Sequence, residues 1–154
     1  MGVDQVEELR LLVQQLFRRF GALSAESTPC GQPLSIAHAH ALMILLSRGE
    51  LAQQELGLEL RIDKSNVARL CAKMEETGHV RQRAREDDAR SRLVSLTTKG
   101  KRLAAEVEAS SKARFRALLD SLPSPRRASV VDALQLLVVA LDVPYPPPPP
   151  GTGP

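Results

Sequence analysis

The spacing of apolar residues changes twice between residues 51 and 100, and this restricts the fold more than any other feature of the chain. Leu51, Leu56 and Leu60 mark the inner face of a first short helix. The segment "RID" (61–63) makes a turn, with Ile62 pointing inward. Val67, Leu70, Cys71 and Met74 then recur at i, i+3, i+4 and i+7, the pattern of an amphipathic helix. Asp63 is suited to cap its start, because a short acidic side chain accepts N–H bonds from the first turn. Gly78 is suited to end it, because glycine takes the left-handed conformation without a steric penalty. Two short helices across a tight turn form a helix-turn-helix pattern. The period then drops to two. In "HVRQRAR" (79–85), Arg81, Arg83 and Arg85 alternate with Val80, Gln82 and Ala84. In "RLVSLTT" (92–98) β-branched and apolar residues dominate, and the polar "EDDARS" (86–91) lies between the two runs. This reads as a β-hairpin with a polar tip, and a hairpin directly after a helix-turn-helix is a wing.

Helices flank this centre on both sides. In residues 3–23, Val6, Leu9, Val13, Leu16, Phe20 and Leu23 step by alternating threes and fours, with Leu12 and Phe17 widening the stripe. Such a helix needs a partner, in its own domain or in a second subunit. "SAESTPCGQP" (24–33) is a loop by composition. Ser35 is placed to cap the helix "IAHAHALMILLS", which Gly49 ends. Thr97 is placed to cap a long helix over 98–120, interrupted by Pro123 and Pro125. A last helix, about 125–142, carries Val130, Val131, Leu134, Leu137, Val138 and Leu141, more apolar surface than a terminal helix leaves exposed on a small monomer. "VPYPPPPPGTGP" (143–154) is a polyproline II-prone tail, expected to be disordered. The expected fold class is mainly α with a small β-hairpin wing (α+β), in one domain over 1–142.

At 154 residues the chain is long enough for one core. No apolar run approaches the ~18–20 residues of a membrane span. The start "MGVDQVEELR" puts acids where a signal peptide carries bases, so a cytoplasmic protein is expected. The net charge is only +3, but residues 61–102 hold twelve Lys and Arg against six Asp and Glu. That surplus of six leaves the rest of the chain net negative by three. A localised basic block is the footprint of a polyanion. The aromatic residues Phe17, Phe20, Phe115 and Tyr145 all lie outside it. Readers of single strands stack bases on aromatic rings, so duplex DNA is the better match.

The second helix of a helix-turn-helix enters the major groove by its N-terminal end. With Val67, Leu70, Cys71 and Met74 buried, the opposite face shows Lys64, Ser65, Asn66, Arg69 and Lys73. Asn66 matches adenine and Arg69 guanine, Ser65 suits a base edge or a phosphate, and Lys64 and Lys73 suit phosphates. The wing supplies Arg85, Asp88, Arg90 and Arg92. Arg90, at the tip, is placed to enter the minor groove, where a narrow A·T tract concentrates negative potential. Asp88 is expected to hold an arginine by a charge-assisted contact, with Glu86 and Asp87 shaping the turn or facing water.

Residues 51–100 resemble the core of the MarR family of bacterial winged-helix transcription regulators. "IDKSNVARL", "EETGHV" and "DDARSRLVSLTTKG" carry the resemblance. The last follows the family's D-x-R-S-x-x-V-x-L-T-x-x-G wing pattern through Asp88, Arg90, Ser91, Val94, Leu96, Thr97 and Gly100, with Arg92 and Leu93 in variable places. "LSIAHAHALMILL" (34–46) is similar to the family's preceding helix, although His38 and Ala39 stand where Gln and an aromatic are common. The resemblance spans about 5–142. It implies a homodimer built on helices 3–23 and 98–142, each subunit reading one half of a pseudo-palindromic operator, with half-sites ~10 bp apart. It implies a ligand-responsive repressor of nearby genes, with no cofactor and no catalysis.

The resemblance also raises three kinds of signal. For a small aromatic effector, Phe17, Phe20, His38 and Leu42 are the candidate lining, or else simply core. For oxidants, Cys71 falls on a buried helix face. Cys30 lies in a loop, whereas peroxide-sensing relatives carry their cysteine near the start of the first helix. For metals, His38 and His40 point apart on a helix, His79 at the start of the wing is expected far from both, and "AAEVEASSKARF" (104–115) adds no histidine. The competing classes are a winged-helix protein-interaction module without DNA binding and a cysteine- or metal-responsive regulator. The intact Ser65, Asn66, Arg69 and Arg90 argue against the first. A hydrolase built on Asp87 and Asp88 lacks a supporting pocket, a phosphate loop and a nucleophile motif.

Overall fold

A computed structural model describes residues 2–143 and 145. The elements run α1 (Gly2–Phe20), α2 (Ile36–Arg48), β1 (Leu51–Ala52), α3 (Gln53–Leu60), α4 (Lys64–Glu76), β2 (Val80–Ala84), β3 (Arg92–Leu96), α5 (Thr98–Asp120), a 3-10 turn (Ser124–Arg126) and α6 (Arg127–Ala140). They form two compact units, Met1–Arg114 and Phe115–Pro154, with the division falling inside α5. Of the expected Pro-rich tail, residues 144 and 146–154 lie outside the described residues.

In the first unit, local side-chain chemistry sets the helix ends. Ser35 Oγ accepts from the His38 amide, and Asp63 Oδ1 accepts from the Asn66 amide. Thr97 Oγ1 accepts from the Gly100 amide and itself donates to the carbonyl of Gly78 at 2.6 Å. One threonine therefore starts α5 and ties it to the end of α4. Gly78 turns the chain out of α4 at φ +79°. Gly100 is required for a different reason: a Cβ there would lie 1.9 Å from the carbonyl oxygen of His79.

The core gathers Leu42 and Leu45 of α2, Leu56 of α3, and Val67, Cys71 and Met74 of α4. Val80 of β2, Val94 of β3, and Ala104 and Val107 of α5 close it. Leu56 of α3 and Val67, Cys71 and Met74 of α4 come from the faces that the sequence periodicity marks as apolar. Gly57 lets α3 and α4 approach closely, since a Cβ would meet Val67 at 3.2 Å.

Three expectations are corrected. The first helix stops at Phe20 rather than residue 23, because Gly21 takes φ +89°. Leu51 does not open the helix after α2; Leu51 and Ala52 form a strand paired with Val94 and Leu93. The wing is therefore one part of a three-stranded antiparallel sheet in the order β1-β3-β2. Ser124–Arg126 form a 3-10 turn, so α6 begins at Arg127.

Most of the apolar stripe of α1 is exposed: Val6, Leu9, Leu12, Leu16 and Phe17. In the second unit α6 buries none of its residues, and Leu136 and Leu141 are both 73% exposed. Among the described residues no helix is long and apolar enough to cross a membrane.

Candidate nucleic-acid interface

Capping α4 at Asp63 puts Lys64, Ser65, Asn66, Arg69 and Lys73 on its exposed face, opposite Val67, Cys71 and Met74. The exposed face is internally bonded. Asp63 Oδ1 accepts from the Asn66 amide at 2.8 Å and from Ser65 Oγ at 2.9 Å. Asp63 Oδ2 accepts from Asn66 Nδ2 at 2.9 Å, and Asn66 Oδ1 accepts from Arg69 Nη2 at 2.6 Å. The Asn66 backbone bond, the Ser65 hydroxyl, the Asn66 amide group and the Arg69 charge hold the Asp63 carboxyl below its usual range.

The wing is braced against this helix. Its strands pair from Val80↔Leu96 to Ala84↔Arg92, and the Arg85 amide donates to Ser91 O to close the tip. The edge strand is not left open: the Gln82 amide donates to Glu75 Oε2 of α4 at 2.8 Å. Gln82 Oε1 accepts from Gln53 Nε2 at the start of α3. Arg83 pairs with Glu50 at 2.8 Å. Sequence reasoning missed these bracing residues, because no local pattern marks a carboxylate that reaches a strand edge.

At the tip the two aspartates have exchanged the roles expected of them. Asp88 Oδ1 accepts from the Arg90 backbone amide at 3.0 Å, and its carbonyl accepts from the Ser91 amide. Asp88 therefore shapes the turn. The charge-assisted contact belongs to Asp87, whose Oδ1 lies 3.2 Å from Arg85 Nε. In a turn this tight a carboxylate reaches the amide two residues on more directly than a side chain. Arg90 is exposed. Lys64, Asp88, Arg90 and Arg92 line one cleft of about 420 Å³ with Gln53 and Ile62. Arg69 and Lys73 lie farther along α4, outside that cleft.

The candidate effector residues are not gathered in this way. Leu42 is fully buried in the core, and Phe17 is 54% exposed on α1. Phe20 is half-buried at the end of α1. His38 is buried, and its Nε2 lies 3.0 Å from Nδ1 of His79. His79 is thus beside His38 rather than far away, because the turn after Gly78 folds the start of the wing back over α2. The rings meet edge to face, with centroids 5.1 Å apart. Thr77 Oγ1 is 3.0 Å from the same His79 nitrogen. Burial, then the His79 and Lys73 charges, push His38 down to about 4, and burial and Lys99 lower His79. Nothing in the sequence marks this pair, whose members stand 41 residues apart.

Burial and Glu75 push the Cys71 thiol up to about 11, away from thiolate chemistry. Cys30 is partly exposed, and both cysteines are free. Among the described residues no group of three or more His, Cys, Asp and Glu is placed to hold a metal ion.

A sequence model of the MarR family matches residues 32–91, from the approach to α2 to the wing tip. An uncharacterised HTH-type transcriptional regulator of Bacillus subtilis, YfiV, is 25% identical over 109 residues, covering 71% of this chain and 68% of its own length. The crystal structure of a MarR transcriptional regulator from Methanosarcina mazei is 25% identical, with a TM-score of 0.73 over 90% of this chain and 99% of that one. BpsR of Bordetella bronchiseptica, whose DNA binding is regulated by 6-hydroxynicotinic acid, is similar in fold at 17% identity. Its TM-score is 0.70, over 85% of this chain and 98% of its own.

Proposed function

We propose that this chain is a member of the MarR family and acts as a homodimeric, sequence-specific duplex-DNA-binding transcription regulator released by a small aromatic effector. The observation that carries the reading is the exposed polar face of α4 beside a basic wing, with Lys64, Arg90 and Arg92 sharing one cleft. In this arrangement α4 enters the major groove through Ser65 and Arg69, while Lys64 and Lys73 meet phosphates. Arg90 follows the minor groove, flanked by Arg85 and Arg92. Asp88 contributes by fixing the backbone that presents Arg90.

The dimer reading is supported by the apolar residues that α1 and α6, each taken by itself, leave exposed. A second subunit is the economical cover for surface of this kind. The first helix, α1, and the helices of region 98–142 are accordingly the proposed dimerisation helices, with 51–100 as the reading head. The effector reading is supported by BpsR. Its lining remains proposed as Phe17 and Phe20 from α1, since Leu42 and His38 are already engaged in the interior. We read the protein as cytoplasmic and non-enzymatic, in keeping with a family of regulators.

Selection of bound duplexes from a random pool tests the function. The expected product is a pseudo-palindrome with half-sites ~10 bp apart. Recovery of unenriched sequence at low salt would instead support the interaction-module alternative.

A further inference from the structure

The bonds along α4 carry an inference about which side chain reads the bases, and it rests on the DNA-binding reading above. Asn66 has the chemistry to pair with adenine, but both ends of its amide are engaged. A carboxylate only accepts hydrogen bonds and a guanidinium only donates them. The Nδ2 end must therefore face Asp63 and the Oδ1 end must face Arg69, as the 2.9 and 2.6 Å contacts have them. Turning the amide over would set oxygen against carboxylate and N–H against guanidinium, so its orientation is fixed by its neighbours. To pair with adenine, Asn66 would have only the one Nδ2 hydrogen and the one Oδ1 lone pair that these contacts leave, in the orientation they impose.

We propose that Asn66 is a positioning residue, bonded to the capping Asp63 so that it holds the guanidinium of Arg69 for base reading, and that Arg69 carries the discrimination. A guanidinium has five N–H donors. The bond to Asn66 uses one of the two Nη2 hydrogens, and the other still shares an edge of the fork with a neighbouring N–H, of Nη1 or of Nε, that can address an acceptor pair such as the N7 and O6 of guanine. A long arginine side chain otherwise loses rotamer freedom on binding. Ordering it beforehand improves affinity by about 2- to 10-fold per half-site. The cap that starts the helix and the residue that reads the groove are in this way one connected unit. The spacing i, i+3, i+6 keeps the three side chains close along one face of the first two turns.

The test measures affinity of the full-length protein for its selected duplex and for duplexes altered one base pair at a time. Four proteins are compared with the parent: Asn66→Ala, Arg69→Ala, the double variant, and the exchange of Asp63→Asn with Asn66→Asp. The exchange preserves every bond in the set, because asparagine caps a helix as well as aspartate and a carboxylate at 66 still accepts from Arg69. Positioning predicts that Asn66→Ala and Arg69→Ala relax preference at the same base pair. It also predicts that Asn66→Ala adds less than 2-fold in the Arg69→Ala background, and that the exchange restores the parent's preference. Direct reading by Asn66 predicts loss at a different base pair, additive effects, and no rescue by the exchange, because a carboxylate has no N–H to give adenine. That result would overturn the proposal.

A second readout needs no DNA. In the free protein the NMR signal of the Arg69 Nε–H should be ordered in the parent and in the exchange, and averaged in Asn66→Ala. Equal mobility in all three overturns the positioning role. If the parent shows that order yet binds no duplex, the DNA-binding reading fails while the bonded set stands.

Discussion

Acidification from pH 7 to pH 4.5 should cost the fold roughly 2 kcal/mol through His38 alone. The group stands at about 4 in the fold against an ordinary 6.5. Burial is the first cause, and the His79 ring and the Lys73 ammonium add to it. His38 therefore stays neutral in the folded protein while the unfolded chain takes up a proton below 6.5. Its contribution is complete above the unfolded value and is lost as pH falls toward the folded one. The slope approaches 1.36 kcal/mol per pH unit in the middle of that window. His79, lowered by burial and by Lys99 of α5, acts in the same direction. The assay is urea denaturation at fixed protein concentration from pH 7.5 to 4.5, comparing the parent with His38→Leu. At pH 7 the variant should be less stable by about 1 kcal/mol, having lost the bond to His79. As pH falls the two curves should converge and then cross, because leucine has no proton to take up. Parallel curves over the whole range would show that His38 is not the titrating group and would refute the reasoning.

Other substitutions test other joints. Gly100→Ala should destabilise by about 3 kcal/mol or more, since the Cβ meets backbone rather than a movable side chain; a loss under ~1 kcal/mol in the same urea assay would contradict this. Asp63→Ala should cost about 1 kcal/mol in thermal unfolding through loss of the cap, and Asp63→Asn only a few tenths. Arg69→Ala should relax one base pair per half-site by ~1–3 kcal/mol in duplex-binding assays. Arg90→Ala should weaken binding chiefly to A·T-flanked duplexes, and unchanged affinity on every sequence would remove it from the minor groove.

What the sequence disclosed follows how local each cause is. The caps at Ser35, Asp63 and Thr97 were legible because a side chain and the amide it satisfies lie within three residues. The buried face of α4 was legible because periodicity alone defines it. Leu51 and Ala52 were misread because two residues cannot display a period, and their strand character comes from Val94 and Leu93, some forty positions away. The same distance hid the pairing of His38 with His79. On the candidate interface, residue types were legible and their division of labour was not. Asp87 and Asp88 are chemically alike, so only the turn geometry shows which one bonds the backbone and which one an arginine. Asn66 looked like a base reader until the structure placed it between Asp63 and Arg69.

The central claim is that the face built from α4 and the wing binds the backbone of duplex DNA, and the salt dependence of that binding tests it most directly. Lys64 and Lys73, directed at phosphates, and the wing arginines Arg85, Arg90 and Arg92 offer up to five cations in each subunit. Each phosphate neutralised adds about −0.9 to the slope of log K against log salt. The account predicts a linear fall with a slope of about −4 or steeper between 50 and 200 mM salt. It also predicts a shallower slope, by about two for the dimer because each subunit loses one cation, when Lys64 or Lys73 is replaced by alanine. A flat salt response, or a slope unmoved by these replacements, would contradict it.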